Sequence, residues 1–401
     1  MPTPALARRR GLGDGLALAT FVSLGLPDGM LGTAWPSMHR SFHVPVADLG
    51  LVLLASTSGA VAVAAFVGAL VRRLPASWLF AAGLACGAGA SVGFAVSPGF
   101  GVLVAVAVMF GLAAGVVDGG LNTVVGLSGR RRLLNLLHGF YGVGTALGPL
   151  VVTVAVVTGS WRPAYLVLLA VDAALAVLWA LSRRPSPRKG PARGAPGVPP
   201  PPTDPGPRRG AVTAGIVVFF LYTGLEVGAG QWETTFNRIH LHLPAATAGL
   251  ATFGYWSALT VVRIGLAVVP RPPRHQSVVR VGTATAVVAT AVIWWQPGVV
   301  ATLVAFAVLG GALAGVFPAL VALTPARLGD RRAQHAIAWQ VGAAAAGGAG
   351  LSAVIGALIG AGGLGVLGPA ITVLAVAVTA TGIGLDRLAP ASPQGRAPAR
   401  H

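Results

Sequence analysis

The sequence predicts an all-α membrane protein of twelve transmembrane helices, arranged as two pseudo-symmetric six-helix bundles with both termini in the cytoplasm. Three observations predict it. Only 9% of the 401 residues are charged while 55% are hydrophobic, against roughly 25% charged in a soluble domain, so a water-facing surface cannot be assembled from this chain. Twelve apolar stretches approach or exceed the about 20 residues that a spanning helix needs. A Pro-, Gly- and Arg-rich segment falls at the midpoint of those stretches.

In chain order the predicted spans are 12–37, 48–71, 76–96, 100–127, 133–158, 164–182, 211–236, 246–269, 278–295, 299–323, 335–359 and 364–385. The first follows the basic start MPTPALARRR and outlasts a cleavable signal, so it is read as a retained span. Turn signals such as Ser97-Pro98-Gly99 and Gln296-Pro297-Gly298 separate neighbours. The segment 183–210 cannot build a packed core and reads as a flexible cytoplasmic connection. It divides the chain into a first bundle, 1–182, and a second, 211–401, which ends in a short tail. Two halves of six spans are a layout of transporters built from related halves. The abundant Gly lies inside Ala/Val/Leu runs, where small residues let membrane helices approach closely.

Charge placement orients the spans. Assigning the breaks alternately to two sides puts Arg8 to Arg10, Arg72, Arg73, Arg130 to Arg132, the linker, Arg271, Arg274, Arg327, Arg331, Arg332 and the tail on one side. The other side receives only Arg40, Arg162 and Arg238. Cationic loops stay in the cytoplasm, so both termini belong there and the chain to the inner membrane. The net charge of +18 therefore serves topology. Nucleic acid is not an expected partner; lipid, a small solute and protons are, with the monomer as the working unit. The single cysteine, Cys86, excludes an intrachain disulfide. No cofactor is expected: the chain has no Walker loop and no metal-ligand spacing. His43 and Asp48 have the His-x4-Asp spacing of glycerolipid acyltransferases, but they sit in a short loop with no folded domain after it, and no enzyme activity is expected.

Charge inside a bilayer is costly, so each intramembrane acid is a functional candidate. Asp28 in span one, Asp118 in span four and Glu226 in span seven are the candidate proton-coupling residues. Asp28 stands beside Pro27 between Gly25 and Gly29, where the helix is expected to weaken and free backbone groups toward a cavity. Asn122 follows Asp118 by one turn on the same face. Glu226 sits in the first span of the second half, the counterpart of Asp28. Glu233 lies near the outer end of that span. Asp172 in span six reads as a structural carboxyl. Arg263 in span eight either pairs with an acid or snorkels to the cytoplasmic end. Asn122, Asn135, His138, Tyr222, Gln231, Tyr255, Trp256, Trp339 and Gln340 are the candidate solute contacts: aromatic rings cover apolar faces, and amides bond hydroxyls. His138 is equally open to a packing role. Trp339 and Gln340 form the favoured cavity pair, whereas Trp35, Trp161, Trp294 and Trp295 suit interfacial anchoring. Gly144-x-x-x-Gly148-Pro149 permits close helix contact and a bend.

The residues resemble the major facilitator superfamily, and within it the fucose-permease-like branch of sugar:proton symporters. The motifs that carry this are Asp28-Gly-Met-Leu, Asp118-Gly-Gly-Leu-Asn122 and Phe317-Pro-Ala-Leu-Val-Ala-Leu, with Leu134-Asn135-Leu-Leu-His138-Gly-Phe-Tyr-Gly-Val-Gly and Tyr222-x3-Glu226-Val-Gly fitting the wider branch. The resemblance implies that Asp28 and Asp118 take part in proton coupling and sugar recognition. The span-four acid is an Asp where that branch carries a Glu, one methylene shorter. The loop after span two, Gly68-Ala-Leu-Val-Arg72-Arg73-Leu-Pro75, lacks the Asp that the superfamily usually carries there. Gly144 to Pro149 matches part of the antiporter signature without its trailing Gly pair. The implied function is proton-coupled uptake of a sugar or sugar-like polyol by alternating access. A proton-coupled drug or metabolite exporter is the alternative, and a transport-dead sensor a further one.

Overall fold

The computed structural model describes residues 4–182, 209–269 and 273–390. Arg271, most of the expected linker and the tail beyond 390 lie outside the described residues. Among the described residues twelve helices are long and apolar enough to cross a membrane: Gly13–Phe42, Val46–Ala64, Ala76–Val96, Phe100–Leu127, Arg132–Val157, Arg162–Leu181, Gly210–His240, Ala245–Val268, His275–Trp295, Val299–Leu328, His335–Gly362 and Leu364–Leu388. They are called spans 1 to 12. Spans 3 and 4 have the bounds expected from sequence. Spans 1, 7 and 10 run four or five residues further than expected, because polar residues such as His39, Arg40 and Arg238 continue the helix beyond its apolar stretch.

Local chemistry sets the breaks. Pro45, Pro75 and Pro244 each precede a helix in extended backbone, which suits the fixed φ of proline and its missing donor. Gln296 ends span 9 in the left-handed conformation (φ 52°). Two spans are interrupted. Span 2 turns at Ala65-Phe66 and resumes as Val67–Arg73. Span 10 is split between Val299–Leu313 and Val316–Leu328 at Ala314-Gly315.

The packing repeats with an offset of six. Spans 1–5, 2–4, 3–4 and 3–6 pack together in the first half, and spans 7–11, 8–10, 9–10 and 9–12 do so in the second. These are the two pseudo-symmetric bundles. They meet along spans 1–7, 2–11 and 5–8. The 1–5 contact is backbone on backbone: a Cβ on Gly29 would stand 2.0 Å from the Thr145 carbonyl oxygen, and one on Gly144 would stand 1.9 Å from that of Val22. The expected weakening at Pro27 is a correction, since the helix runs unbroken from Pro4 to Phe42. Gly25 and Gly29 serve close packing instead.

The seam between the bundles is tightest at the end away from the chain termini. There a Cβ on Gly50 would meet Ala353 Cα at 2.6 Å, one on Gly249 would meet Thr153 Oγ1 at 1.8 Å, and one on Gly32 would meet the Gln231 carbonyl oxygen at 2.5 Å. Toward the terminal end the contact slackens: a Cβ on Gly139 would reach Ile264 only at 3.5 Å. Trp35 and Trp161 pack inside the first bundle near that end, which corrects their expected role as interfacial anchors. Both are buried; Trp35 Nε1 donates to the Val46 carbonyl at 2.7 Å and Trp161 Nε1 to Ser41 Oγ at 3.2 Å. Trp294 and Trp295 are exposed, as anchors should be.

Candidate functional site

Asp28 stands mid-way along span 1, yet its side chain is exposed. Its neighbours identify what it is exposed to. The Tyr141 hydroxyl of span 5 donates to Asp28 Oδ2. Gln231 of span 7 donates from Nε2 to the Asp28 carbonyl oxygen at 2.7 Å. Asp28 therefore lies on the seam between bundles with its side chain exposed there, and the seam is looser toward the terminal end than on the far side. Asp118 of span 4 is within electrostatic reach of Asp28 and accepts from Asn122 Nδ2 at 2.9 Å. The Asn122 Oδ1 atom is buried with no partner among the described residues.

Glu226 faces the same region from span 7. The Tyr222 hydroxyl touches Glu226 Oε2, Arg263 of span 8 approaches that oxygen to 3.4 Å, and Tyr255 donates to the Glu226 carbonyl at 2.7 Å. The break in span 10 completes this group. A helix interruption leaves carbonyls without their usual donors. Here Tyr222 reaches the Leu313 carbonyl at 2.8 Å, and Arg263 Nε donates to that of Ala314 at 3.0 Å. Arg263 is therefore a paired cation that also ties span 8 to span 10. Of the two readings its sequence left open, pairing is the one observed.

The Tyr222 hydroxyl has one proton and two acceptors within reach. Tyr141 lies within electrostatic reach of Asp28, Asp118 and Glu226 together. Three acids lie within electrostatic reach of one tyrosine, and among the described residues a single arginine pairs with one of them. Protons or a cationic group are the natural compensation.

The remaining candidates divide. His138 is exposed, sets its ring edge to that of Phe21 at 5.9 Å, and is within electrostatic reach of Arg263. Trp256 is buried, with its Nε1 unpartnered among the described residues. The Asn135 side chain lies outside the described residues. The structure separates Trp339 from Gln340: Trp339 is 70% exposed, whereas Gln340 is buried and accepts from Thr324 at 3.1 Å inside the second bundle. Adjacent helical residues point about 100° apart, and here the two side chains meet different surroundings. Asp172 is buried in the first bundle beside Gly87 and accepts from Ser23. Tyr141 was missed by sequence reasoning. Its signal was its place one turn after His138, three residues on, which puts both on one helix face.

The chain matches the Major Facilitator Superfamily over residues 16–353. The chain belongs to the major facilitator superfamily. It is an integral, multi-pass membrane protein with the fold of secondary transporters. Superfamily members with solved structures share that fold at low identity. A D-xylose-proton symporter superposes with a TM-score of 0.76 at 12% identity, covering 94% of this chain and 97% of that one. A mutant of the nucleoside transporter NupG gives 0.72 at 16%, covering 92% and 98%. A mutant of a peptide transporter, POT, in complex with alafosfalin gives 0.67 at 14%, covering 95% and 96%. No curated protein matches the chain by sequence.

The Glu226–Arg263 contact makes a testable statement within this superfamily fold. Removing either charge leaves the other facing a low-dielectric seam, so Glu226→Gln and Arg263→Gln are each expected to cost about 1–3 kcal/mol. The double variant should lose less than the sum. Thermal unfolding of the purified proteins in a double-mutant cycle measures the coupling; simple additivity would mean the pair does not interact.

Proposed function

We propose that this transporter takes up a small hydroxyl-rich solute, a sugar or sugar-like polyol, in symport with protons across the cytoplasmic membrane. The observation that carries the reading is Asp28: an acid mid-way through the membrane, exposed at the inter-bundle seam, hydrogen-bonded by Tyr141 and within reach of a second acid, Asp118. A xylose–proton symporter and a nucleoside transporter among the structural neighbours agree with solutes that carry hydroxyls. With the positive loops taken as cytoplasmic, the looser end of the seam is read as the inward-facing one.

In the proposed cycle the halves 1–182 and 211–401, joined by 183–210, rock about the seam. With the outside open, Asp28 or Asp118 takes a proton and the solute binds between Asn122, His138 and Gln231. Neutralising an acid lowers the cost of burying it while the seam closes over. Opening inward rehydrates the acid, which then releases its proton to the cytoplasm. Glu226, tied to spans 8 and 10 through Arg263 and Tyr222, reports the state of the site to the second bundle.

Proteoliposomes loaded with neutral buffer and diluted into acidic buffer test this. Sugars, polyols and nucleosides are expected to accumulate several-fold above equilibrium only while the pH gradient lasts, and the purified monomer should suffice. Depletion of solute under the same inward proton gradient would instead identify an exporter. Binding with no counterflow would identify a sensor.

A further inference from the structure

The proposed cycle makes no use of Glu233. It stands seven residues beyond Glu226 on span 7, roughly 10 Å toward the closed end. Glu233 is fully buried, and neither of its carboxylate oxygens has a hydrogen-bond partner among the described residues. Asn237, one turn further, is also fully buried, with both amide atoms unpartnered in the same sense. The Thr252 and Asn237 side chains are within interaction reach of the carboxylate. The Thr252 hydroxyl lies 2.7 Å from that of Thr234, which in turn lies 3.4 Å from Thr33 of span 1. Among the described residues no Arg, Lys or His forms an ion pair with Glu233. Span 7 also widens here into a π-helical turn, Phe236–His240, a geometry that recurs at functional sites because it re-aims side chains.

An ionised carboxylate sealed in such a place is heavily penalised unless something compensates it. The groups around it include oxygens that can turn to a cation: the carboxylate itself, the Asn237 amide, which carries an oxygen as well as its NH2, and the Thr252 hydroxyl. Hard oxygen donors suit alkali and alkaline-earth cations or a proton, and disfavour soft metals. One carboxylate brings one negative charge, so a divalent ion would leave uncompensated charge inside the membrane.

We propose that Glu233, Asn237 and Thr252 bind one monovalent cation, a sodium ion or a proton, at a site separate from Asp28, Asp118 and Glu226. The facing titratable group is Tyr255 of span 8; span 1 presents the neutral Thr33, and Glu226 lies two turns away on the same span. The Thr33–Thr234 contact crosses the seam, so the cation is shut in when the far side closes and meets solvent when it opens. Loading from that side would then be linked to conformation.

The test uses the purified full chain and needs no transport, so it stands or falls apart from the solute reading. Thermal unfolding is followed in sodium chloride and in choline chloride at equal ionic strength. Infrared spectra in choline at neutral pH report protonated carboxyls. Glu233→Gln is isosteric and neutral, and Asp172→Asn serves as the control for another buried acid. A sodium site predicts saturable stabilisation by sodium that Glu233→Gln abolishes, Asn237→Ala weakens about tenfold in half-maximal sodium concentration, and Asp172→Asn retains. A proton site predicts no sodium effect and a protonated-carboxyl band that is missing in Glu233→Gln. No sodium effect together with an unchanged carboxyl band in Glu233→Gln would overturn the proposal.

Discussion

Asp28→Asn is expected to abolish gradient-driven accumulation while leaving solute exchange in place. The amide keeps the shape of the acid, and its oxygen still accepts from Tyr141, so the fold survives. What disappears is the exchangeable proton. Without it the empty and loaded transporter carry the same charge at this position, and a pH gradient no longer biases the direction of rocking. A transporter that no longer couples to protons can only equilibrate its solute, so the several-fold accumulation should fall to a ratio of about one. Counterflow of labelled solute should stay within a few-fold of the parent protein. Asp118→Asn should lose accumulation similarly, since the two acids act on each other. Tyr141→Phe should shift the pH at which transport is half-maximal, because it removes the donor that favours ionised Asp28. The measurement is the steady-state ratio of internal to external solute at fixed gradient, beside counterflow at none. Normal accumulation by both acid variants would remove proton coupling from this pair.

The second large effect is on assembly. Gly144→Leu places a Cβ 1.9 Å from the Val22 carbonyl oxygen, with Leu26 N at 3.1 Å behind it. Both are backbone atoms of a continuous helix, so no side chain can turn aside. Spans 1 and 5 would have to separate, and with them the Tyr141–Asp28 contact. Overpacking costs about 1–3 kcal/mol and more where the backbone must move. The expected result is a sharp fall in monodisperse yield and in unfolding temperature. Gly254→Ala on span 8 is the control, because a Cβ there meets nothing within 4 Å; it should be neutral or stabilising by up to about 1 kcal/mol. Similar losses in both variants would mean that the close 1–5 contact is not what makes Gly144 necessary.

Much of the fold could be read in the chain. Spans 3 and 4 match the expected bounds to the residue, because Pro75 and the Ser97-Pro98-Gly99 break are local signals that act within one or two residues. The ends of spans 1 and 7 were less legible: polar residues there continue the helix, which hydropathy cannot show. The acids were legible for the same reason that they are expensive. An Asp within an apolar stretch stands out, and the structure sets Asp28, Asp118 and Glu226 within electrostatic reach of one tyrosine. Their partners were not legible. Tyr141 looks like any aromatic in span 5, and Glu233 could not be told from an interfacial acid. Trp35 and Trp161 illustrate the limit from the other side. A Trp near a span end has the same sequence context whether it faces lipid or packs inside its bundle, and only the neighbouring helix decides.

By itself the sequence determined that the chain lives in lipid, crosses it twelve times and carries its positive charge on one side, since each of these follows from transfer energies summed along a continuous segment. Which acid meets which partner was decided only by the tertiary structure. Arg263 finds Glu226 and the broken carbonyl of Ala314, Tyr141 finds Asp28, and Gln340 turns away from Trp339. These depend on how helices distant in sequence are rotated against one another, and that rotation is settled by backbone contacts at residues such as Gly29 and Gly144, where a single methyl group would forbid the fit.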